Sequence, residues 1–357
     1  MFRNESVQIT QSISKDIRQN RGIFFTPKDI RDAIFKVIKP LGPFQDILEP
    51  SCGSGEFVLD AKSHWTSSDI THIDKYVHTM PQTLDIDFMD FSGTKKFHLI
   101  LGNPPFYILP KSKINIFSEF VKKCILHHLH DDGILAFVLP KSIMNSYPEC
   151  RQIIIQHLDL IHVQNFDTSN FIGTQQPVLI LIGKKVKNPS DRFVFLDKYI
   201  SQDYIRLKEL YSVSLKSLGC VVKTGDVVWN QEKKNLRDDQ GTLIFYSENI
   251  GSNHTFIPMK TKNTEKKQYI INREKPLVTG PAFIVFRGYG TGHYKLKWAF
   301  VDSSVSFYGE NHVNILRVPP QHVDRIRESF ETRIPEFLHC FLGNGALSKS
   351  ELENLPV

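Results

Sequence analysis

Asn103, Pro104, Pro105 and Phe106 form an unbroken run whose residue types suit chemistry at a planar amino nitrogen. Two consecutive prolines cannot continue a strand, so they lock a stiff, extended turn. Such a turn holds two acceptors at set positions, the Asn103 side-chain oxygen and the Pro104 carbonyl. Each can take a hydrogen from an –NH2 group. An amino nitrogen conjugated to an aromatic ring or a carbonyl is a poor nucleophile, because its lone pair is delocalised. Acceptors on both its hydrogens favour the pyramidal, partly cationic nitrogen of a transition state, a case of preorganised electrostatic stabilisation. Phe106 would stack on the ring that carries the nitrogen.

A second constellation points to a bound ligand. Residues 49–57, running from Glu49 through Ser51, Cys52, Gly53 and Gly55 to Phe57, follow a predicted strand and open a predicted helix. Glycines at that crossover let the backbone turn tightly and lie close to a ligand at the carboxyl edge of a sheet. The run is neither the dinucleotide G-x-G-x-x-G pattern nor a phosphate loop, which ends in Gly-Lys-Ser/Thr. The carboxylate of Glu49 suits a cationic, phosphate-free ligand better than a nucleotide phosphate. Asp69, beside Ile70, is expected at the end of the second strand, where it could accept both ribose hydroxyls. Asp87 and Phe88 are placed to meet an adenine amino group and its ring. The interval from Gly55 to Asp69 allows about two turns of helix, and Asp74 is the alternative ribose acid.

The elements that must position these residues follow an α/β order. Predicted strands cover 45–48, 65–68, 97–101, 134–139, 160–165 and 178–183, and helical spacing covers 30–38, 56–62, 114–129 and 149–157. That alternation is the signature of a mostly parallel sheet. The polar stretch 184–191 reads as a linker, so a first domain of 1–187 and a second of 188–357 are expected. The second half shows irregular β segments such as 242–246 and 282–286, then a helix over 320–342.

Composition sets outer limits. The chain has 357 residues, 41% hydrophobic and 23% charged, which is ordinary for a globular protein. Its five cysteines are scattered and never form C-x-x-C, so neither a disulfide framework nor a zinc site is expected. No run reaches the roughly 20 apolar residues of a membrane helix, and residues 1–20 have no signal-like apolar stretch. A cytoplasmic protein is expected, or a nuclear or viral one in a eukaryotic setting. The net charge of +6 is uneven: residues 260–297 hold nine basic side chains and two acids. Such a run suits a polyanion or a solvated loop equally. Arg287, in the glycine loop 287–292, could reach base edges or serve a plain hairpin. Cys124, His127, His128 and His130 cluster near the end of a predicted helix, where the histidines read as surface residues, with no metal expected.

Together these segments resemble the gamma-type N6-adenine DNA methyltransferases of the N-6 DNA methylase family of restriction–modification systems. The match runs through the opening segment 22–27, the loop 49–57, Asp69, Asp87 with Phe88, and the tetrapeptide 103–106. The resemblance implies a seven-stranded, Rossmann-like class I S-adenosylmethionine-dependent methyltransferase fold whose sheet ends with one antiparallel strand. It implies a C-terminal mixed α+β target-recognition domain. It places Phe25, Thr26, Pro27, Glu49, Ser51, Cys52, Gly53, Gly55, Phe57, Asp69, Ile70, Asp87, Phe88 and Asn103 around S-adenosylmethionine. Catalysis falls to Asn103, Pro104, Pro105 and Phe106, with Phe171 as the second ring sandwiching a flipped adenine. The implied reaction is site-specific methylation of N6 of adenine in double-stranded DNA, by a monomer, with room for a cognate restriction endonuclease. The tetrapeptide ends in Phe where Tyr is commoner, which keeps the stacking and loses a hydroxyl. The same tetrapeptide also serves methylation of RNA base amino groups and of protein glutamine.

Overall fold

A computed structural model describes residues 2–110, 112, 114–166, 171–174, 176–259, 265–289, 294–343 and 345–357. The chain divides into two compact units, Met1–Tyr204 and Ile205–Val357.

The first unit opens with helices α1 (Asn4–Ser12), α2 (Lys15–Arg21) and α3 (Lys28–Ile38). It continues through β1 (Asp46–Glu49), α4 (Glu56–His64), β2 (Asp69–His72), β3 (Phe97–Gly102) and α5 (Ile116–Lys123). Then follow β4 (Leu129–Pro140), α6 (Pro148–His157), β5 (Leu158–Phe166) and β6 (Val178–Lys185). The strands form one sheet in the order β2-β1-β3-β4-β6-β5. β1 runs parallel to β2 and β3, and β3 to β4, whereas β6 is antiparallel to both its neighbours. This is the expected α/β sheet with one antiparallel strand, but the described residues supply six strands where seven were expected. Beyond β2 the sheet continues only as a single parallel bridge from Ile73 to Leu84. The polar, proline-bearing stretch 78–83 leaves too little apolar chain there to make a full edge strand.

Side chains alternate across this sheet, as the two-residue period of a strand requires. Ile100, Leu135, Phe137 and Leu181 pack with α5 and α6 residues such as Phe117, Phe120 and Ile154. Leu99, Leu101, Ala136 and Ile180 face Ile30, Ile34, Phe57 and Ala61 of α3 and α4. Burial on both faces explains why the central strands read as unbroken apolar runs. The predicted linker is no boundary in space. The hairpin of β7 (Val194–Phe195) and β8 (Tyr199–Ile200) packs Phe193 and Ile200 into the first core, and Arg151 donates to the Lys198 carbonyl.

The second unit holds two sheets. One, antiparallel, orders Trp298–Val301, Ala282–Phe286, Val313–Arg317 and Val221–Thr224. The other, five-stranded, orders Leu236–Arg237, Tyr269–Ile270, Thr242–Phe245, Ser306–Gly309 and Val278–Thr279. The long helix expected over 320–342 is broken, with α-helix at Val323–Glu331 and again at Arg333–Phe341. Pro335 lacks an N–H and is tolerated in the first turn of the second piece, not in the middle of one long helix.

Candidate active site

The site is built where β1 and β3 end. The two strands run side by side, with Leu48 opposite Ile100, so Glu49 and Gly102 arrive together at the carboxyl edge. They touch. Gly102 has φ +146°, and a Cβ there would stand 2.2 Å from Glu49 Oε1. Glu49 is 1% exposed. Its Oε1 accepts from the Ser51 N–H at 3.2 Å, while Oε2 is buried with no hydrogen-bond partner. Burial pushes its carboxyl well above the usual range, although the Ser51 backbone N–H pulls the other way. A buried acceptor of this kind is completed by a donor from a ligand, and a cationic donor suits it best.

Asn103 follows directly. Its Nδ2 donates to the Phe24 carbonyl at 3.1 Å. A carbonyl can only accept, so the amide is turned with its NH2 toward Phe24, which leaves Oδ1 as the free end. That oxygen is buried and has no partner. The Ser51 hydroxyl reaches the Asn103 carbonyl at 3.2 Å and ties the turn to the glycine loop.

Asp74 completes the acidic set. It lies two residues beyond the end of β2, and its carboxylate accepts the N–H groups of Gly53, Tyr76 and Val77, each at 2.8 Å. Burial raises its pKa in spite of those three bonds. Asp87 caps the short turn Phe88–Asp90, accepting from the Met89 N–H at 2.9 Å, and pairs with Lys75 Nζ at 2.8 Å. Burial alone would raise Asp87; the Lys75 ammonium and the Met89 N–H bring it below the ordinary value. Burial also pushes the Cys52 thiol up, which disfavours its reactive thiolate form.

Two pockets meet at the turn. The first, open to solvent, is lined by Phe25, Thr26, Ser51, Cys52, Gly53 and Phe57, with Asp74, Asp87, Phe88 and Pro105 completing the wall. The second, also open to solvent, is lined by Pro104, Phe106 and Phe171 together with Gln19, Thr174 and Gln176. Gly22, Phe24 and Asn103 line both. Phe106 packs edge-on against Phe117, 5.8 Å between ring centroids, and Phe171 is buried in the cluster that Phe106 also joins.

Several expected residues stand apart from the pocket walls. Glu49 and Gly55 support the glycine loop from behind, and Pro27 caps α3. Asp69 and Ile70 are corrected outright. β2 begins at Asp69, which pairs with Asp46 at the amino end of β1, three residues before Glu49. At about 3.3 Å per residue that puts Asp69 some 10 Å down the strand. Its carboxylate is largely exposed and paired with Lys95 at 2.5 Å. Ile70 packs on the core beside α4. The predicted strand 65–68 is displaced because Trp65 is drawn into that core, edge-on to Phe44 at 4.9 Å. A legible signal existed: Ile70, Thr71 and Ile73 are strand formers, and a strand read through them ends near Asp74. Gly22 and Phe24 lay in the expected opening segment 22–27 without a role of their own, and Lys75 was missed, because their roles come from contacts made only in the fold. His128 is also not the surface residue expected; it is 2% exposed behind Phe88, 5.6 Å between rings, and burial lowers its pKa to about 4.

Four of the basic residues in the stretch 260–297 are ion-paired. Lys266 meets Glu248 at 2.6 Å, Lys267 meets Asp238 at 2.5 Å, and Asp226 takes both Arg273 at 3.0 Å and Lys275 at 3.1 Å. Arg287 Nη1 donates to the Asn311 carbonyl at 2.9 Å. Lys260, Lys262 and residues 290–292 of the Arg287 loop lie outside the described residues, as do Asn170 and Gln175 beside Phe171.

Comparison with known proteins follows the same lines. The model of the Eco57I restriction-modification methylase family matches residues 56–171, and that of the N-6 DNA Methylase family matches residues 8–85. The type II methyltransferase M.CvrRI of Paramecium bursaria Chlorella virus XZ-6E is 29% identical, the alignment covering 100% of this chain and 99% of that protein. The modification methylase CviBIII of Paramecium bursaria Chlorella virus NC1A is 26% identical over 97% of this chain and 96% of its own. Among solved structures, a type I restriction-modification system methyltransferase subunit from Streptococcus thermophilus is 20% identical, with TM-score 0.36 over 51% of each chain. No helix among the described residues is long and apolar enough to cross a membrane.

Proposed function

We propose that this chain, which belongs to the N-6 DNA methylase family of restriction–modification systems, methylates N6 of adenine in a short duplex DNA sequence. Its methyl donor is S-adenosylmethionine, which supplies an electrophilic methyl group on a sulfonium centre. The residues present fit that cofactor. The first pocket is lined by a glycine turn and Asp74, with Glu49 buried behind Ser51; Glu49 Oε2 is an orphaned acceptor for an ammonium group, and Asp74 stands where ribose hydroxyls can be taken. Phosphate-binding lysines are absent from the glycine loop, in keeping with a ligand that carries no phosphate.

One observation carries the reading: Asn103 Oδ1 is buried, unpartnered and set in the wall common to both pockets. From that position it accepts a hydrogen from the amino group of a base held in the second pocket, and withdraws it from conjugation as the nitrogen attacks. Phe106 and Phe171 supply apolar faces for the ring. A base inside a duplex cannot reach a walled pocket, so the adenine is flipped out of the stack. The second unit, Ile205–Val357, is assigned to reading the sequence, and Glu49 with Asp74 to holding the cofactor.

The test is to incubate the protein with labelled S-adenosylmethionine and separately with duplex DNA, RNA and protein, then digest the DNA to nucleosides. Label in N6-methyl-2′-deoxyadenosine from DNA is expected. Label in N4-methylcytosine, in RNA or in protein glutamine would reassign the substrate. Cofactor binding with no transfer to any polymer would leave a binding module.

A further inference from the structure

Arg18 stands in the last turn of α2, the turn that also contributes Gln19 and Gly22 to the second pocket. Its guanidinium lies on the backbone of Gly173, so close that a Cβ at that residue would come 2.7 Å from Nη1. Gly173 sits between Phe171 and Thr174, which line the same pocket. Nε and Nη1 of Arg18 are both shielded from water and have no hydrogen-bond partner. An arginine cannot shed its charge, so shielded donors without an acceptor carry the full cost of desolvation.

Other buried guanidinium groups in this unit are satisfied. Arg31 bonds Asp60 at 2.7 Å and the Thr26 carbonyl at 2.6 Å, and Arg151 bonds the Lys198 and Ser146 carbonyls. The deficit at Arg18 lies beside the second pocket, next to the lining residues Gln19, Phe171 and Thr174. A negative acceptor brought from outside would complete it best. A nucleotide whose base enters that pocket carries a phosphodiester on each side of its sugar. We propose that Arg18 is a phosphodiester-binding residue that grips the backbone beside the flipped nucleotide. The proposal rests on the DNA reading given above. Contacts of this kind fix register and orientation without reading sequence.

The test uses the full chain and duplexes bearing the sequence it methylates, mapped beforehand on plasmid DNA. Each phosphate flanking the target adenine is replaced singly by an uncharged methylphosphonate. For the unaltered enzyme, one replacement is expected to lower kcat/KM about tenfold. Arg18→Ala should show that loss already on unmodified DNA and no further loss at that phosphate, with a salt slope of binding smaller by about one. Cofactor affinity should be unchanged, which also reports that the variant is folded. If Arg18→Ala does not fold, Arg18→Lys serves in its place and should keep the contact in weakened form. Equal sensitivity of variant and unaltered enzyme at every phosphate would overturn the assignment of Arg18 and leave DNA methylation standing. Absence of any DNA methylation by the unaltered enzyme would remove the functional reading and this inference together.

Discussion

The two units of this molecule share surface ion pairs such as Lys75–Asp87 and Lys266–Glu248, but differ in how some of their buried charges are met. In Met1–Tyr204, Glu49 and Glu56 are buried with no ion-pair partner among the described residues, and Asp74 is held by backbone N–H groups alone. Glu56 instead takes the hydroxyls of Ser6 and Ser54. In Ile205–Val357, by contrast, Arg273 meets Asp226 and Glu232, Lys233 meets Glu265, and even the buried Glu310 takes both the N–H and Nδ1 of His312, at 2.9 and 2.7 Å. A dry, incomplete polar group beside a pocket is suited to a ligand, whereas an ion pair such as Arg273–Asp226 serves the structure. The contrast teaches where charge counts mislead. The first half is nearly neutral by count and holds the ligand-ready groups, while the basic second half spends much of its charge on itself.

That comparison can be broken at several points. The largest effect is expected at Asn103→Ala, where loss of the acceptor should lower methyl transfer by roughly 10²–10³-fold with cofactor affinity retained. Calorimetry and single-turnover transfer would separate the two, and transfer within a few fold of normal would remove Asn103 from its role. Next is the choice between acids. Asp74→Asn should weaken cofactor binding roughly 10–100-fold, the range for a hydrogen bond to a charged group, and Asp69→Asn should change it less than about twofold, as befits an exposed pair. The reverse order would put the ribose at the other end of β2.

The pH profile sharpens the same point. The Asp74 pKa is raised in the ligand-free protein, and binding of hydroxyl donors needs the ionised form. Affinity is therefore full above the raised value and is lost as pH falls through it. Titrated downward from pH 8, cofactor affinity should begin to fall above the ordinary aspartate range near 3.8, and Asp74→Asn should flatten that fall. A decline confined to pH below that range would show that burial does not perturb this carboxyl.

In the second unit the expected effects fall on stability. Arg273→Ala, whose side chain is 6% exposed between two carboxylates, should cost about 2 kcal/mol in urea unfolding. Smallest of all, Lys267→Ala removes a pair whose acid is 74% exposed and should cost less than about 0.5 kcal/mol. A large loss at Lys267 and none at Arg273 would invert the reading of which pairs hold the unit together.

Much of the first unit was legible in the chain. Glycines at 53 and 55, the strand that runs into Asn103, and the apolar runs at 134–139 and 178–183 each carry their structure in their types, because local sterics and burial on both faces act through nearest neighbours. The second unit was read poorly. Its strands are short, three of them only two residues long, and strands that short depend on partners distant in sequence.

What the sequence determined by itself was the kind of chemistry: an amide and two prolines at a strand end define acceptors for an amino group wherever that strand lies. What only the tertiary structure decided was which groups are left incomplete. Asp74 outranks Asp69 because the packing of Trp65 sets where β2 begins. The Asn103 amide is oriented by a carbonyl 79 residues earlier in the chain. Arg18 and Gly173 meet across more than 150 residues. Residue type states what a side chain can donate or accept, and only the fold states whether a partner has already been supplied.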